Sequence, residues 1–351
     1  MIECFKLPQS RQAQDQTRFK KKLSETLTMS IKKHLSIFAA TLSCVAGLSV
    51  STQASAQAYP NKPVQVVIPF APGDTDKMLR PFMDRMAEFL PNQFILNYKP
   101  GAGGAVGAGY VASSAPDGYT IVGTSPGSIV VVPLANKDVK YTTESFEPIA
   151  ALSEGGFMIV GSSKSPITNL KDLVAYSKKN PDKVTFGTSG AMGITHLLAE
   201  IFASEAGIKW NHIPYQGSGP AITALLGGHV ELASTAVGPA QAHIAAGTLR
   251  PLAVFGDTRL KAFPNVPTLK ELGYKTSSAG LYGILAPKGT PKEVIDTIYG
   301  AAQKVVAKYG PQITANLAVL GAEIRVLGPK EYAQFLQEQK ALFTQGLKTI
   351  K

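Results

Sequence analysis

Three stretches of small polar residues carry the chemistry this sequence could do. They are Phe70-Ala71-Pro-Gly73-Asp74-Thr75-Asp76, Gly187-Thr188-Ser189-Gly190-Ala-Met-Gly-Ile-Thr195-His196 and Tyr215-Gln-Gly217-Ser-Gly-Pro220. Each follows a run that reads as a strand and precedes one that reads as a helix. In open α/β sheets such positions lie at the carboxyl ends of strands, where helix N-termini offer free N–H groups and a partial positive charge. None of the three stretches contains Lys or Arg. An anion bound there would be held by backbone N–H and hydroxyl donors instead of an arginine fork, and neutral donors suit a receptor that must release its cargo. The competing reading treats the loops as ordinary helix caps, with Asp76, Thr195 and Ser218 as N-cap residues. His196, in the first turn of its helix, is open to both readings, as a ligand contact or a local capping donor.

Other matches point to different chemistry and are weaker. Gly123-Thr-Ser125-Pro-Gly127 fits the Gly-x-Ser-x-Gly pattern of an esterase, with His196, His212, His229 or His243 as formal candidates for the base. Pro126, however, occupies the position whose N–H would help to form an oxyanion hole, and proline has none. Gly107-Ala-Gly109-Tyr-Val-Ala112 begins inside an expected helix, so it reads as close helix packing and not as a dinucleotide fingerprint. The four histidines beyond residue 58 are 16, 17 and 14 positions apart, without a His-x-His or His-Glu-x-x-His pattern. No metal site, cofactor or catalytic residue is therefore expected.

The elements that must position these loops alternate along the chain. Val64–Ile68 reads as a buried strand, and Met78, Leu79, Phe82, Met83, Met86 and Leu90 then fall on one helical face. Phe94–Asn97, Tyr119–Val122 and Phe157–Val160 read as further strands, with the glycine-rich turn Pro100–Gly104 and a helix of small residues after the first of them. Helices are expected at Leu170–Lys179, Ile194–Ala206 and Ala221–Leu226, interleaved with strands at Val184–Phe186, Asn211–Ile213 and Val230–Ser234. A return strand at Leu281–Leu285 and helices at Lys292–Lys308 and Lys330–Leu347 finish the chain. The alternation predicts parallel, helix-covered sheets, and the order suits two α/β lobes joined by two chain crossings.

Composition limits the partners. The 351 residues carry 35 Lys+Arg against 24 Asp+Glu, a net charge of +11, which raises nucleic acid or an anionic membrane as partners. Residues 29–58 nevertheless read as a secretory signal: Lys32, Lys33 and His34, a short apolar run from Leu35 to Val50, and cleavage after Ala56 or Ala58. Removing residues 1–56 leaves 27 basic and 21 acidic side chains, a net +6, and no cysteine, since Cys4 and Cys44 both go. No nucleic acid partner is expected. Met29 is a better start than Met1, so residues 1–28 read as an upstream extension, and intact N-terminal sequencing of a precursor beginning at Met1 would refute that. Lipidation at Cys44 is disfavoured because Thr41-Leu-Ser-Cys44 lacks Leu three residues before the cysteine.

Several motifs in fixed order carry a family resemblance. They are Tyr59-Pro-Asn-Lys-Pro63, Val67-Ile-Pro-Phe-Ala-Pro-Gly73, Pro100-Gly-Ala-Gly-Gly104, Ala115-Pro-Asp-Gly-Tyr119, the stretch Tyr176 to Phe186, His212-Ile-Pro-Tyr-Gln-Gly217, Leu225-Leu-Gly-Gly228, Pro264-Asn-Val-Pro-Thr268 and Ala286-Pro-Lys-Gly-Thr-Pro291. From Tyr59 to Lys351 the chain resembles the tripartite tricarboxylate transporter receptors, the Bug or TctC family of periplasmic solute-binding proteins. That resemblance implies the type II periplasmic binding fold, two α/β lobes joined by two crossover strands with a ligand cleft between them. The expected division places residues 59–156 with 281–351 in lobe 1 and 157–280 in lobe 2.

The resemblance also implies a function. A monomeric periplasmic receptor would capture a small carboxylate and deliver it to a membrane permease of one large and one small subunit. Carried over by position, Phe70, Gly73, Thr75 and Asp76 on one lobe and Thr188, Ser189, Gly190 and Thr195 on the other would grip the carboxylate, partly through water. Tyr215 and Gly217 would line the cleft, with Ser125 and Ser128 as wall donors. Ala71, Asp74, His196, Ser234 and Thr235 complete the expected ligand-binding set.

Two departures bear on the ligand. Asp74 alone stands between Gly73 and Thr75, where relatives carry two or three small residues, and a carboxylate there would repel an incoming one unless it turns away. Ser234-Thr235-Ala236 replaces the acidic or amide pair that many members carry. A mono- or dicarboxylate, hydroxylated or aromatic among the choices, is expected ahead of an amino acid, for which Asp74 facing an ammonium is the one argument. Pro81 adds the expectation of a kinked or shifted helix start. The remaining readings are a loaded receptor that signals to a membrane sensor and an exported serine esterase.

Overall fold

The structure is a computed structural model and describes residues 59–278 and 280–348. The expected upstream extension, signal segment, cleavage positions and Cys44 lie outside the described residues.

Eleven strands form two sheets among the described residues. The first holds β1 (Val64–Ile68), β2 (Phe94–Tyr98), β3 (Thr120–Thr124), β4 (Phe146–Gly155), β10 (Gly280–Pro287) and β11 (Glu323–Leu327), in the order β11-β4-β10-β3-β1-β2. The second holds β5 (Phe157–Ser162), β6 (Thr185–Thr188), β7 (Asn211–Pro214), β8 (Leu232–Ala236) and β9 (Leu249–Val254), in the order β7-β6-β8-β5-β9. β1 is buried at four of its five positions, as a strand covered by helices on both faces should be.

The all-parallel expectation needs correction. β1 runs parallel to β2 and β3, and β6 to β7 and β8, but β10 is antiparallel to β3 and β4, and β5 to β8 and β9. The parallel strands bear the helix-forming loops. The antiparallel ones take the chain out of the first sheet through Gly155-Gly156 and return it through β10, a reversal that leaves no local sequence signature. The architecture is two α/β lobes, each built on its own sheet, as the resemblance implies.

Helices α1 (Thr75–Met83), α2 (Ala105–Ala112), the short α3 (Val132–Ala135), α4 (Leu170–Lys179), α5 (Ile194–Ala206), α6 (Ser218–Leu226), α7 (Val237–Ala245), α8 (Lys292–Ala318) and α9 (Pro329–Gly346) cover the sheets. The start of α1 is not shifted by Pro81, which lies inside the helix; instead the helix stops at Met83, and Met86–Glu88 continues as a 3₁₀ turn. A proline there cannot donate back to the preceding turn, which shortens the helix. The apolar stripe still points inward, with Met86 and Leu90 buried. α8 outruns its expected end at Lys308 and passes Pro311, because Ile313 and Leu317 pack into the first-sheet core.

Each sheet has a core on both faces. Val66, Ile68, Leu79 and Phe82 fill one face of the first sheet, and Val67, Val111 and Val122 the other. In the second sheet Phe186, Phe202 and Leu252 oppose Val160, Leu225 and Val254. A buried side chain of this size contributes roughly 1.5–3 kcal/mol. α9 serves both cores: Tyr332 and Leu336 join the first-sheet core, whereas Phe343 joins that of the second.

Candidate ligand site

The β1–α1 loop is anchored by carboxyl groups. Gly73, at φ +144°, donates its N–H to Asp76 Oδ1 at 2.8 Å. Tyr98 on β2 donates to Asp76 Oδ2 at 3.2 Å and accepts from Arg80 Nη2 at 2.9 Å. Asp76 thus closes the turn. Asp74 turns its carboxyl away from the loop: Tyr282 on β10 donates to its Oδ2 at 2.9 Å. Oδ1 is out of contact with solvent and has no hydrogen-bond partner, although the residue as a whole is part-exposed. Burial pushes this carboxyl up to about 7, outweighing the Tyr282 hydrogen bond that lowers it.

The β6–α5 loop is anchored by neutral groups. Thr195 Oγ1 accepts the Ser189 N–H at 3.0 Å and pairs with Ser189 Oγ at 2.8 Å, while Ser234 Oγ on β8 donates to the Thr195 carbonyl at 2.7 Å. Thr188 Oγ1 shares a 2.6 Å hydrogen bond with His212 Nε2. His196 Nδ1 accepts the Met192 N–H at 3.1 Å, so His196 is a local capping acceptor and not the capping donor that its position allowed. Thr235 Oγ1 donates to the Ala236 carbonyl at 3.0 Å, at the end of β8.

The loops of the two sheets touch through bare backbone. The Ala71 N–H donates to the Gln216 carbonyl at 2.9 Å. A methyl group added to Gly190, at φ +138°, would lie 2.7 Å from Gly103 Cα, and one added to Gly103 would lie 2.6 Å from the Ala191 carbonyl. One added to Gly217 would sit 3.5 Å from the Ala71 nitrogen, and one added to Gly73 3.5 Å from Gly219 Cα. Gly104 packs on Ser128 and Phe70 so closely that a methyl there would approach Ser128 Cβ to 2.6 Å. Gly103 and Gly104 were absent from the expected set. Their signal was the turn Pro100–Gly104 at the carboxyl end of β2.

The capping reading of the three loops fails. The N-cap positions of α1, α5 and α6 belong to Asp74, Gly193 and Gly217, none with a side-chain cap. Asp76 and Thr195 instead fix their own loops, and Ser218 Oγ accepts the Ala236 N–H at 3.2 Å. Three helix N-termini without side-chain caps, on loops free of Lys and Arg, are suited to hold a small anion through N–H donors. Phe70, Thr75, Thr188, Ser189 and Thr195 are all buried there. Tyr215 stands over the glycine of β6, its ring 3.1 Å from where a Gly187 methyl would be.

Ser125 and Ser128 follow β3. Ser128 Oγ pairs with Thr124 Oγ1 at 2.7 Å and its carbonyl accepts from Tyr141 Oη, so its hydroxyl is spent inside the lobe. Ser125 is buried, and among the described residues no imidazole bonds to it; His196 and His212 engage each other and the β6–α5 loop. No group of three His, Cys, Asp or Glu side chains that could hold a metal occurs among the described residues.

Comparison with known proteins agrees with this geometry. Residues 78–350 match the model of the tripartite tricarboxylate transporter family receptor. Similar solved structures include the periplasmic binding protein BugD, 31% identical with a TM-score of 0.78, covering 83% of this chain and 98% of that one. MatC from Rhodopseudomonas palustris, solved with bound malate, is 25% identical with a TM-score of 0.77, covering 82% and 99%. A second R. palustris protein, solved with adipate, is 27% identical with a TM-score of 0.75, covering 83% and 98%. The matched span and the two-lobed fold, with loops free of Lys and Arg at its strand ends, lead to one conclusion: the chain belongs to the tripartite tricarboxylate transporter receptor family, whose members are periplasmic substrate-binding receptors and not enzymes.

Proposed function

We propose that this protein captures a small dicarboxylate between its lobes and delivers it, as a monomer, to a tripartite tricarboxylate-type permease of one large and one small subunit. Residues 59–156 with 281–351 form one lobe and 157–280 the other, with the end of α9 docked across onto the second. The observation that carries the reading is three helix N-termini without side-chain caps, at strand ends where the two sheets' loops touch, on loops that offer no Lys or Arg. The donors are the backbone N–H groups of these loops that no intramolecular acceptor takes, those of Asp74, Thr75 and Ala191, with the hydroxyls of Thr75 and Ser125 on the first lobe. Tyr215, Gly217 and Ala71 close the cleft. Asp76, Thr188, Thr195, Ser128, Ser234 and Thr235 shape the loops that bear those donors.

The carboxylate-bound relatives support the ligand class, since malate and adipate both occupy proteins of this fold. Asp74 spends Oδ2 on Tyr282 and burial favours its protonated form, which supports ranking an ammonium-bearing ligand below a carboxylate. Export to the periplasm follows from the signal-like segment and the family's location. A thermal-shift screen of purified protein against malate, adipate, citrate, benzoate, amino acids and sugars tests the reading. Stabilisation by carboxylates is expected; no shift with any carboxylate, beside a clear one with sugars or amino acids, would refute it.

A further inference from the structure

The β6–α5 loop is pinned at both ends by imidazoles that touch one another. The rings of His196 and His212 stack with centroids 3.7 Å apart and planes 17° from parallel. β6 and β7 pair in parallel with Phe186 beside His212, which puts the Phe186 ring 5.1 Å from His212 and 4.6 Å from Trp210. The column Trp210–Phe186–His212–His196 therefore runs from the sheet to the first turn of α5. From its end His212 Nε2 reaches Thr188 Oγ1, where β6 ends, and His196 Nδ1 accepts from Met192, where α5 is about to begin. Met192 sits at φ +57°, a left-handed conformation that an L residue keeps only when something holds it.

We infer that His196 and His212 are the positioning residues of the second-lobe ligand loop: stacked as neutral rings, one holds Thr188 and the other Met192, so that the Ser189–Gly193 turn is fixed, with the N–H groups of Ser189, Gly190, Met192 and Gly193 tied inside it and that of Ala191 left for a carboxylate. This rests on the reading that the loop touches the ligand. The arrangement requires both rings uncharged, because a proton on His196 Nδ1 removes the acceptor for Met192, and two cations would face each other across 3.7 Å. Burial favours the same state, lowering His196 to about 4 and, together with the His196 neighbour, His212 to about 3. The charged group facing the pair is Glu200 of α5, its Oε1 3.7 Å from His196 Nε2, and burial raises its own pKa. β6 presents only Phe186 and Thr188 to the rings.

Substitutions separate the clamp from the stack. His196→Asn keeps an acceptor near the Nδ1 position and His212→Gln keeps a hydrogen-bonding group near Nε2, whereas His196→Phe and His212→Phe keep only the ring. The probe is whichever of malate, adipate and citrate stabilises the wild type most, titrated calorimetrically at pH 7. The Phe variants should bind at least about tenfold more weakly while still melting cooperatively, and the Asn and Gln variants should stay within about threefold of wild type. Nitrogen-15 spectra of the imidazoles should show both rings neutral at pH 6, with Nδ1 of His196 unprotonated. Wild-type affinity in both Phe variants, or an imidazolium at pH 6, would overturn the inference. If no panel member binds the wild type, the proposed function fails by itself. The clamp is then judged by amide exchange at Gly190 and Met192, which the Phe variants should accelerate at least about tenfold and which unchanged rates would contradict.

Discussion

The β1–α1 loop of one sheet and the β6–α5 loop of the other are built alike and held differently. Each follows a buried strand, turns on a glycine at positive φ and leads into a helix without a side-chain cap. The first, however, is fastened by the carboxyls of Asp76 and Asp74, through Gly73, Tyr98 and Tyr282. The second is fastened by hydroxyls and neutral imidazoles, Thr195, Ser234, His212 and His196. Both anchors consume N–H groups of their own loop, those of Gly73 in the first and of Ser189, Gly190 and Met192 in the second, and leave those of Thr75 and Ala191 for an anion. They differ in which way a change of pH loosens them.

The largest expected effect is at the glycine seam between the β6–α5 loop and the Pro100–Gly104 turn. Gly190→Val introduces a side chain whose first carbon already lies 2.7 Å from Gly103 Cα, at a φ of +138° that suits glycine alone. Carboxylate affinity should fall by about 100-fold or more in calorimetric titration, since the seam can no longer close. Gly207→Ala, at φ +62° with open space around it, should cost only roughly 1 kcal/mol of stability and leave binding untouched. Equal losses in the two variants would remove the seam from the account.

Next comes the first anchor. Asp76→Ala strands the Gly73 N–H and the Tyr98 hydroxyl, and should destabilise the protein by about 1–3 kcal/mol in denaturant unfolding, with faster amide exchange confined to the first loop. Faster exchange in the second loop instead would break the contrast.

The pH dependence separates the two anchors by sign. Asp74 has its folded pKa raised to about 7, so the folded state holds a proton that the unfolded chain gives up near 4; its contribution is fully present at low pH and is lost as pH rises from about 4 to 7. Asp74→Asn should abolish that slope and be more stable than wild type at pH 7 by about 1–2 kcal/mol. His196 and His212 have folded values below the ordinary 6.5, so their slope is opposite: stability falls as pH drops from 6.5 toward 4. The double variant His196→Asn with His212→Gln should flatten that acid limb. Thermal unfolding between pH 4 and 8 measures both slopes, and slopes of one sign would defeat the comparison.

The smallest effect is expected at Ser125. Ser125→Ala should change stability by no more than about 0.5 kcal/mol and weaken carboxylate binding by about two- to tenfold. A loss of ester hydrolysis in that variant would instead revive the esterase reading.

Much of this was legible beforehand because the signals are local. A glycine-rich turn between a buried strand and an amphipathic run marks a loop at a strand end, and the three main loops were identified that way. What the residues around them do was not legible, since their partners are remote in sequence. Asp74 meets Tyr282, 208 positions away, through Oδ2, while its unpartnered Oδ1 lies near Gly238 of α7. Asp76, Thr195 and Ser218 have the composition of caps, yet their side chains bond elsewhere: Thr195 to Ser189 in its own loop, Asp76 to Gly73 and Tyr98, and Ser218 to Ala236 on β8. Gly103 and Gly104 read as a turn, and only the opposing loop reveals why no side chain fits. The antiparallel return of β10 escaped notice because strand direction leaves no trace in hydrophobic periodicity.

The central claim is that carboxylate charge is recognised through N–H and hydroxyl donors on loops that carry no Lys or Arg. Its most direct test is calorimetric titration of the purified protein with adipate or malate, whichever stabilises it more in the thermal screen, alongside the dimethyl ester of the same acid. Binding of the free acid with at least about 100-fold preference over the ester, together with a rise in melting temperature of about 5 °C at saturating acid, is the expected outcome. Equal affinity for acid and ester, or binding of neither beside a clear heat with sugars, would contradict it.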